Sequence, residues 1–435
     1  MAITDKPTSR PSVDADTDTS DTARTSPAGG VAGGVRAWMG YLRRALERPL
    51  TSYYLLLGAS ALLLTIGLIM VLSASSVYSY KNSDGDSYAV VKRQLMWVLI
   101  GIPCAWLASR LPHRAIRALA WPGYLLALVL LLLTQFMGVT RNNNTNWLAL
   151  GPVVIQPSEF AKLAIILWAG HIYTFKQRLL DDWKHAVIPV VPGLLLAAGL
   201  VIAGKDLGTA LVLLAIMLGL VWVVGIPARI FVFGLSAVGV VVLFLASTSP
   251  ERLARLTTFS DPFRDYHYAG WQPAHGLYAL SSGGWLGKGI GASQQKWGQL
   301  PEAHTDFIFA VLGEELGLAG TLLVVCLFLT IAYAAVRVAI ATADPFVRYV
   351  SFGIVVWLLG QMIINVGMVL ALLPVIGIPL PLVSYGGSAL VPSLVALGLL
   401  VGFARREPEA AAALAARRRS RSAGLSARGA TRPFK

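Results

Sequence analysis

The stretch GEELGLAGTLLVVCLFLTIAYAAV, from Gly313 to Val336, begins with two carboxylates and then carries no charged side chain. About 20 predominantly apolar residues are enough for a helix to cross the hydrocarbon core of a membrane. Similar runs recur along the chain, which has 435 residues, 56% of them hydrophobic and only 13% charged. Backbone groups inside a bilayer must be satisfied within the segment, so the sequence predicts an all-α polytopic membrane protein.

About ten apolar runs have the length of a transmembrane helix. They lie near residues 53–72, 95–111, 118–137, 158–173, 187–203, 207–224, 230–246, 313–336, 347–370 and 387–404. Several short connections carry basic residues, which favour the cytoplasmic side, so both termini are predicted to be cytoplasmic. One extracytoplasmic connection, residues 247–312 between helices 7 and 8, is much longer than the others, and long connections of this kind are usually functional.

Two polar tails flank the predicted membrane domain of residues 50–404. Residues 1–49 contain too few large apolar side chains to fold, so we predict a disordered cytoplasmic tail. Residues 405–435 form a basic cytoplasmic tail, and the whole chain has a formal net charge of +14. Nucleic-acid binding is one interpretation of such basic runs, but the positive-inside bias and attraction to anionic membrane lipids explain them better. We therefore predict a multi-pass protein of the cytoplasmic membrane that contacts lipids and no nucleic acid.

Asp306 lies seven residues upstream of the quoted stretch, where the long outer connection enters an apolar helix. Its spacing alone is equally compatible with a simple helix cap. Glu314 and Glu315 lie deeper in the run, where an ionised carboxylate is costly unless it is paired or faces water. The sequence therefore predicts that this helix borders a polar cavity.

Two other charged pairs are predicted on the same outer side. Glu159 and Lys162 in QPSEFAKL are three residues apart on one helix face. They form either one wall of a hydrophilic cleft or a self-neutralised ion pair that permits insertion of the helix into the membrane. Lys205 and Asp206 occupy the tip of an outward hairpin, where a tight turn alone would also favour them.

The remaining outer features are Trp147 in RNNNTNWLALG and the stretch LPVIGIPLPLVSYGGSAL, residues 373–390. Trp147 belongs either to the outer site or to the membrane interface, where tryptophan commonly anchors a protein at the level of the lipid headgroups. The prolines and glycines of the second stretch cannot continue a helix, and irregular backbone at membrane depth is tolerated only beside a cavity. Because all these polar features fall on one side, we predict a single site that opens outward.

Taken together, QPSEFAKL, DLGT, SGGWLGKGIGASQQKWGQLPEAHTDFIFAVLGEELG and PLPLVSYGGS, in this order, resemble the SEDS family of cell-wall polymerases, which includes FtsW, RodA and SpoVE. The resemblance covers about residues 53–404. It implies a peptidoglycan glycosyltransferase that joins lipid II disaccharides at the outer face and releases undecaprenyl pyrophosphate. The HTDF region and the long tails look more like the division member FtsW than the elongation member RodA.

The resemblance also implies partners and a place in the cell. A class B penicillin-binding transpeptidase is the expected partner, other division proteins are expected to bind the cytoplasmic tails, and the division septum is the expected location. A lipid II flippase, an elongation-type polymerase and a scaffold for the transpeptidase remain alternatives. A transport path should carry ionisable residues through its whole depth, whereas here they lie mostly at the outer ends, which favours an enzyme.

In that family the aspartate of the HTDF motif is essential, which implies that Asp306 is the key carboxylate. It could act as the base for an incoming sugar hydroxyl or as a ligand of a divalent cation, Mg²⁺ or Mn²⁺. A leaving pyrophosphate needs cationic stabilisation, and Lys162, Lys205, Lys288, Lys296 or a divalent ion could supply it. The full predicted substrate-binding set is Trp147, Glu159, Lys162, Lys205, Asp206, Lys288, Lys296, His304 and Ser384.

The chain departs from the family pattern at several positions. Asn146 stands where an arginine is common, Lys205 follows Gly204 where Gln-Pro is usual, and Ile376 replaces a threonine. His275 and Gly276 replace a Gln-Ser pair. None of these changes Asp306, so they concern the predicted phosphate contacts rather than the predicted activity.

Overall fold

The computed structural model describes residues 40–41, 48, 50–141, 144–151 and 153–416. The predicted disordered N-terminal tail lies almost wholly outside this set, as does most of the basic C-terminal tail. Of the C-terminal tail, residues 408–416 are helical.

Helices make up most of the described chain, which confirms the predicted fold class. They are α1 (Thr51–Asn82), α2 (Ala89–Arg110), α3 (His113–Ala118), α4 (Ala120–Met137), α5 (Pro157–Phe175), α6 (Trp183–Val187), α7 (Val190–Ala203), α8 (Leu207–Val224), α9 (Ala228–Ser247), α10 (Pro250–Thr258), α11 (Trp271–Gly283), α12 (Ile308–Ala341), α13 (Pro345–Val369) and α14 (Gly387–Arg405). Within the described residues, nine helical segments are long and apolar enough to cross a membrane. The remaining predicted span is α5, which is helical but is polar at its start and is buried along most of its length.

The connection between α4 and α5 contains a small antiparallel sheet that the all-α prediction did not include. Its strands are β1 (Val139–Arg141), β2 (Asn144–Leu150) and β3 (Val153–Ile155), in the order β1-β2-β3. The backbone N–H of Thr145 donates to the carbonyl of Gly204, 3.0 Å away. The sheet is thereby attached to the turn between α7 and α8.

The long connection between α9 and α12 is structured rather than open. It contains α10, α11 and a short 3-10 turn at Gln295–Trp297. Its second half is hydrogen-bonded to α12: the N–H groups of Lys288 and Gly289 donate to the carbonyls of Glu314 and Glu315, each at 3.0 Å. α12 is kinked two residues later, at Gly317, where φ is 67°.

Buried helices form the centre of the bundle, and α5, α8, α12, α13 and α14 contribute most of it. α2 and α14 approach closely through small residues, because a Cβ at Gly398 would lie 2.2 Å from the carbonyl oxygen of Ala105, and one at Gly402 would lie 2.7 Å from that of Ser109. Small residues four apart are typical of close contacts between membrane helices. α9 differs, since Ala246 is the one residue it buries.

Candidate active site

Asp306 lies in the turn directly before α12, at one end of the bundle, and its side chain is half-buried. Burial, together with the negative charges of Glu302 and Asp206, raises the pKa of Asp306 to about 7, while Arg255 acts in the opposite direction. A carboxyl group that titrates near neutral pH can both accept and return a proton under physiological conditions. This is the property required of a general base.

The backbone around Asp306 is held by three consecutive carbonyl groups. The carbonyl of His304 accepts from the N–H of Tyr385 at 2.9 Å, and that of Thr305 accepts from the hydroxyl of Ser384 at 2.7 Å. The carbonyl of Asp306 itself accepts from the amide of Asn365 at 2.8 Å. All three donors come from α13 or the segment that follows it, so the proline-rich segment fixes the position of the catalytic candidate.

Gly377 provides the space that the Asp306 carboxylate occupies. A Cβ at this position would stand 3.2 Å from Oδ2 of Asp306, and Gly377 has a φ of 76° that disfavours other residues. Asn365 also donates to the carbonyl of Ile378 at 2.7 Å, so one fully buried amide joins both sides of the site. Irregular backbone therefore borders the site, as the proline and glycine pattern predicted.

Asp206 is the N-terminal cap of α8. Its Oδ1 accepts from the backbone N–H of Thr209 at 2.9 Å, and its Oδ2 accepts from Asn146 at 2.7 Å and Gln156 at 2.9 Å. Capping of this kind satisfies a free N–H group of the helix. Asn146, which departs from the family pattern, thus donates a hydrogen bond to Asp206. The same strand carries Trp147, whose side chain is half-buried.

Glu159 and Lys162 form a buried ion pair in α5, with 2.8 Å between the ammonium and the carboxylate. Lys162 is only 1% exposed; it also donates to Oε1 of Gln361 at 3.3 Å, and its ammonium lies 5.3 Å from the centre of the Trp357 ring. Gln361 in turn donates to the carbonyl of Pro379 at 3.4 Å. The pair therefore supports the proline-rich segment from the interior of the bundle.

Glu314 and Glu315, both 0% exposed, hold the loop that precedes the site instead of lining an open cavity. Glu314 accepts from Lys288 at 3.1 Å and from the hydroxyl of Ser293 at 2.6 Å. Glu315 accepts from Lys296 at 3.1 Å and from Ser73 of α1 at 2.6 Å. Lys288 and Lys296, both predicted to bind substrate, are therefore paired with protein carboxylates.

The other predicted site residues lie close to Asp306 along the chain or around the same turn. His304 is packed between the rings of Tyr78, at 4.7 Å, and Tyr385, at 5.7 Å, and burial lowers its pKa. Ser384 accepts from the N–H of Leu380 at 2.8 Å while it donates to Thr305. Lys205 is exposed at the turn before Asp206, with a φ of 65°. Direct contact between these residues and a substrate stays a prediction.

Sequence reasoning missed Asn365, Gln361, Gly377 and Arg255. Asn365 and Gln361 were detectable in principle, because an amide inside a predicted membrane span requires a partner. Gly377 and Arg255 gave no such signal, since glycine and arginine are ordinary in an outer loop.

A divalent cation was predicted at Asp306. Across the part of the chain that is described, no three His, Cys, Asp or Glu side chains are grouped so that they could hold a metal ion. Next to Asp306, Asp206 already accepts hydrogen bonds from three residues. The protein side chains alone do not provide a metal site here, so the cation stays a prediction and no step below depends on it.

The fold and the site define a class: a multi-pass helical membrane protein with a carboxyl group of near-neutral pKa held at one end of its bundle. The comparison with known families identifies the protein more specifically. The chain belongs to the FtsW/RodA/SpoVE family of cell cycle proteins, whose family model matches residues 53–409. The resemblance inferred from the motifs is thereby confirmed.

Individual relatives extend over most of the chain. A Mycobacterium tuberculosis (strain ATCC 25618 / H37Rv) protein named "Probable peptidoglycan glycosyltransferase FtsW" is 38% identical over 384 residues, which is 88% of this chain and 72% of that protein. Stage V sporulation protein E of Bacillus subtilis (strain 168) is 38% identical over 360 residues, 81% of this chain and 96% of that one.

Two solved structures share the fold. One is a chain from a peptidoglycan synthase complex studied for its coordination of polymerization and crosslinking, with a TM-score of 0.66 and 28% identity over 81% of this chain and 97% of that one. The other is the Rod shape determining protein RodA of Thermus thermophilus, with a TM-score of 0.59 and 28% identity over 82% and 97% of the two chains.

Proposed function

We propose that this protein is a peptidoglycan glycosyltransferase of the division type, which polymerises lipid II at the outer face of the cytoplasmic membrane. The family match and the FtsW-named relatives support the reaction class. The single structural observation that carries the proposal is Asp306, whose backbone is held by hydrogen bonds at the end of the bundle and whose carboxyl group has a pKa of about 7.

The chemistry requires one proton acceptor. The hydroxyl oxygen of the acceptor sugar forms a bond to the anomeric carbon of the donor, and the bond between that carbon and the diphosphate oxygen breaks. The hydroxyl proton passes to the carboxylate of Asp306, while the electron pair of the broken bond leaves on the diphosphate. A base with a pKa near the working pH is suited to this transfer.

The hydrogen bonds around the turn before α12 explain how Asp306 is positioned. Asn365, Ser384 and Tyr385 hold the backbone from residue 304 to residue 306. Because these hydrogen bonds hold the backbone next to the base, Asp306 keeps its position while substrates exchange. Such pre-organisation is a large part of catalysis.

The partner and the location belong to the same proposal. A similar chain occurs in a peptidoglycan synthase complex, which supports a class B penicillin-binding transpeptidase as the crosslinking partner. We place the assembly at the division septum, with other division proteins bound to the cytoplasmic tails.

Polymerisation of purified lipid II tests the proposal. The full chain is prepared with its transpeptidase partner, and glycan polymer is detected on a gel. Wild type should produce polymer and Asp306→Asn should not, whereas Asp261→Asn, an exposed carboxylate of the same outer connection, should remain active. Polymer made equally well by Asp306→Asn would refute the assignment of Asp306 as the catalytic base. Lipid II movement across vesicles without polymer would favour a flippase.

A further inference from the structure

Helix α10 brings two guanidinium groups to the end of the bundle where Asp306 lies. Nη2 of Arg252 donates to the carbonyl of Lys205 at 3.1 Å, and Nη1 of Arg255 donates to the carbonyl of Val375 at 3.4 Å. Lys205 directly precedes Asp206, and Val375 is two residues before Gly377, which borders the Asp306 carboxylate. Both arginines thus contact the two backbone segments that enclose Asp306.

These arginines remain available to a ligand in a way that the buried lysines Lys162 and Lys296 do not. Lys162 and Lys296 are 1% and 7% exposed and are paired with Glu159 and Glu315. Arg255 is exposed, Arg252 is half-buried, and the hydrogen bonds described above go to backbone carbonyls, which neutralise no charge. Each guanidinium has five N–H donors, so most of them can still bind an anion.

We propose that Arg252 and Arg255 form a diphosphate-binding subsite beside Asp306, which holds the diphosphate of a prenyl-linked sugar before and after it leaves. The inference rests on the proposed function and assigns the leaving-group contacts to residues other than the predicted lysines. Guanidinium groups bind phosphate oxygens in a forked, charge-assisted geometry, and residues three apart on a helix lie on one face. Two adjacent phosphates therefore match two adjacent guanidiniums.

The subsite also balances charge during the reaction. When the bond to the anomeric carbon breaks, the diphosphate gains negative charge, and cations already placed at that position stabilise it. The same cations offset the repulsion between the diphosphate and the carboxylate of Asp306. General base and leaving-group contact are thus provided by different elements, the turn before α12 and the helix α10.

Direct binding tests the subsite independently of polymerisation. The full chain in phosphatidylcholine nanodiscs is titrated with farnesyl diphosphate, farnesyl monophosphate and farnesol. Wild type should bind the diphosphate most tightly. R252Q and R255Q should each weaken diphosphate binding about tenfold or more, the range of a lost hydrogen bond to a charged group, and R255K should be intermediate because lysine keeps the charge but not the fork.

The matched control is R264Q, because Arg264 is an exposed arginine of the same outer connection; its affinity should equal that of wild type. Equal binding by R255Q and R264Q would overturn the subsite, as would equal binding of farnesol and the diphosphate. If phosphatidylglycerol displaces farnesyl diphosphate at equal concentration, the arginines bind lipid headgroups and the substrate assignment is wrong. Should R255Q fail to fold, R255K and R252Q carry the same comparison.

Polymer formation is scored separately in the same preparations. A wild-type protein that binds the diphosphate but forms no polymer would contradict the proposed function alone. Polymer from wild type, together with unchanged diphosphate binding in R252Q and R255Q, would contradict the subsite alone.

Discussion

The titration of Asp306 should control the rate of polymerisation near neutral pH. Its pKa is raised from 3.8 to about 7, so the ionised fraction rises from about one tenth at pH 6 to about nine tenths at pH 8. Because a general base works only when it is ionised, kcat/KM should increase about tenfold over this interval. A carboxyl group of ordinary pKa would be ionised throughout and would produce a flat profile.

Two charge changes should move this profile in opposite directions. Glu302 raises the pKa of Asp306 and Arg255 lowers it. Glu302→Gln should therefore move the acidic limb to lower pH, and Arg255→Gln should move it to higher pH. The effect of Glu302 should be the modest one expected of an exposed charge, which water screens.

The assay is the initial rate of lipid II polymerisation between pH 5.5 and 8.5 at constant ionic strength. The transpeptidase partner is first acylated with a β-lactam, so that its own ionisations do not enter the measured rate. Asp261→Asn serves as the control and should keep the wild-type profile. A flat wild-type profile between pH 6 and 8, or shifts of the same sign in the two charge variants, would refute the assignment of the base.

The same ionisation predicts a change in stability. Since the folded-state pKa exceeds the unfolded value, the contribution of Asp306 to stability is fully present below about pH 4 and is lost as pH rises to about 7. The difference between 3.8 and about 7 corresponds to ~4 kcal/mol at most, and the partial exposure of the Asp306 side chain reduces it. Asp306→Asn should therefore melt at a higher temperature than wild type at pH 8 and at a similar temperature at about pH 3.5. A variant less stable than wild type at pH 8 would contradict this.

Three further substitutions test the supporting structure. Asn365→Leu leaves two buried carbonyls without a donor, which costs about 1–3 kcal/mol each, and should lower kcat for lipid II polymerisation at every pH; unchanged kcat would show that the amide does not position the base. Lys296→Met leaves the Glu315 charge without its cation and should lower the free energy of unfolding by about 3–5 kcal/mol. This should appear as a lower melting temperature in detergent, and adding Glu315→Gln should restore most of the loss. Gly398→Ala should destabilise the protein through the close helix contact described above, whereas Gly199→Ala, which has open space around its Cβ, should not; equal melting temperatures of the two alanine variants would argue against that contact.

Composition and motif order were sufficient for the class of protein and for the approximate number of membrane helices, about ten predicted against nine among the described residues. The motifs also selected Asp306 as the candidate base, which stays a prediction. A hydrophobic run must be helical in a bilayer, so the approximate positions of the spans follow from the chain itself, although α1 and α12 extend beyond the predicted runs. Asp306 was identified through the resemblance of its HTDF motif to the family pattern, because its spacing alone was equally compatible with a helix cap. The small sheet between α4 and α5 was missed, because its strands have only three, seven and three residues and short strands give little periodic signal.

The roles of the charged residues were decided by tertiary structure. Glu315 contacts Ser73, which is 242 residues away in the chain, and Asn365 contacts Asp306 across 59 residues. No local pattern indicates such pairings, so the sequence could identify Lys162, Lys288 and Lys296 as cations without showing that each is bound to a carboxylate. It also could not show that α10 carries its arginines to the carbonyls beside Asp306.

The amino-acid sequence by itself therefore determined where the chain crosses the membrane and which carboxylate is the candidate base. Only the folded arrangement decided which charges are neutralised inside the protein and which remain for a ligand. The reason is physical: the cost of placing an apolar or charged residue in a bilayer is a property of that residue, whereas its pKa and its partners depend on groups brought together from distant parts of the chain.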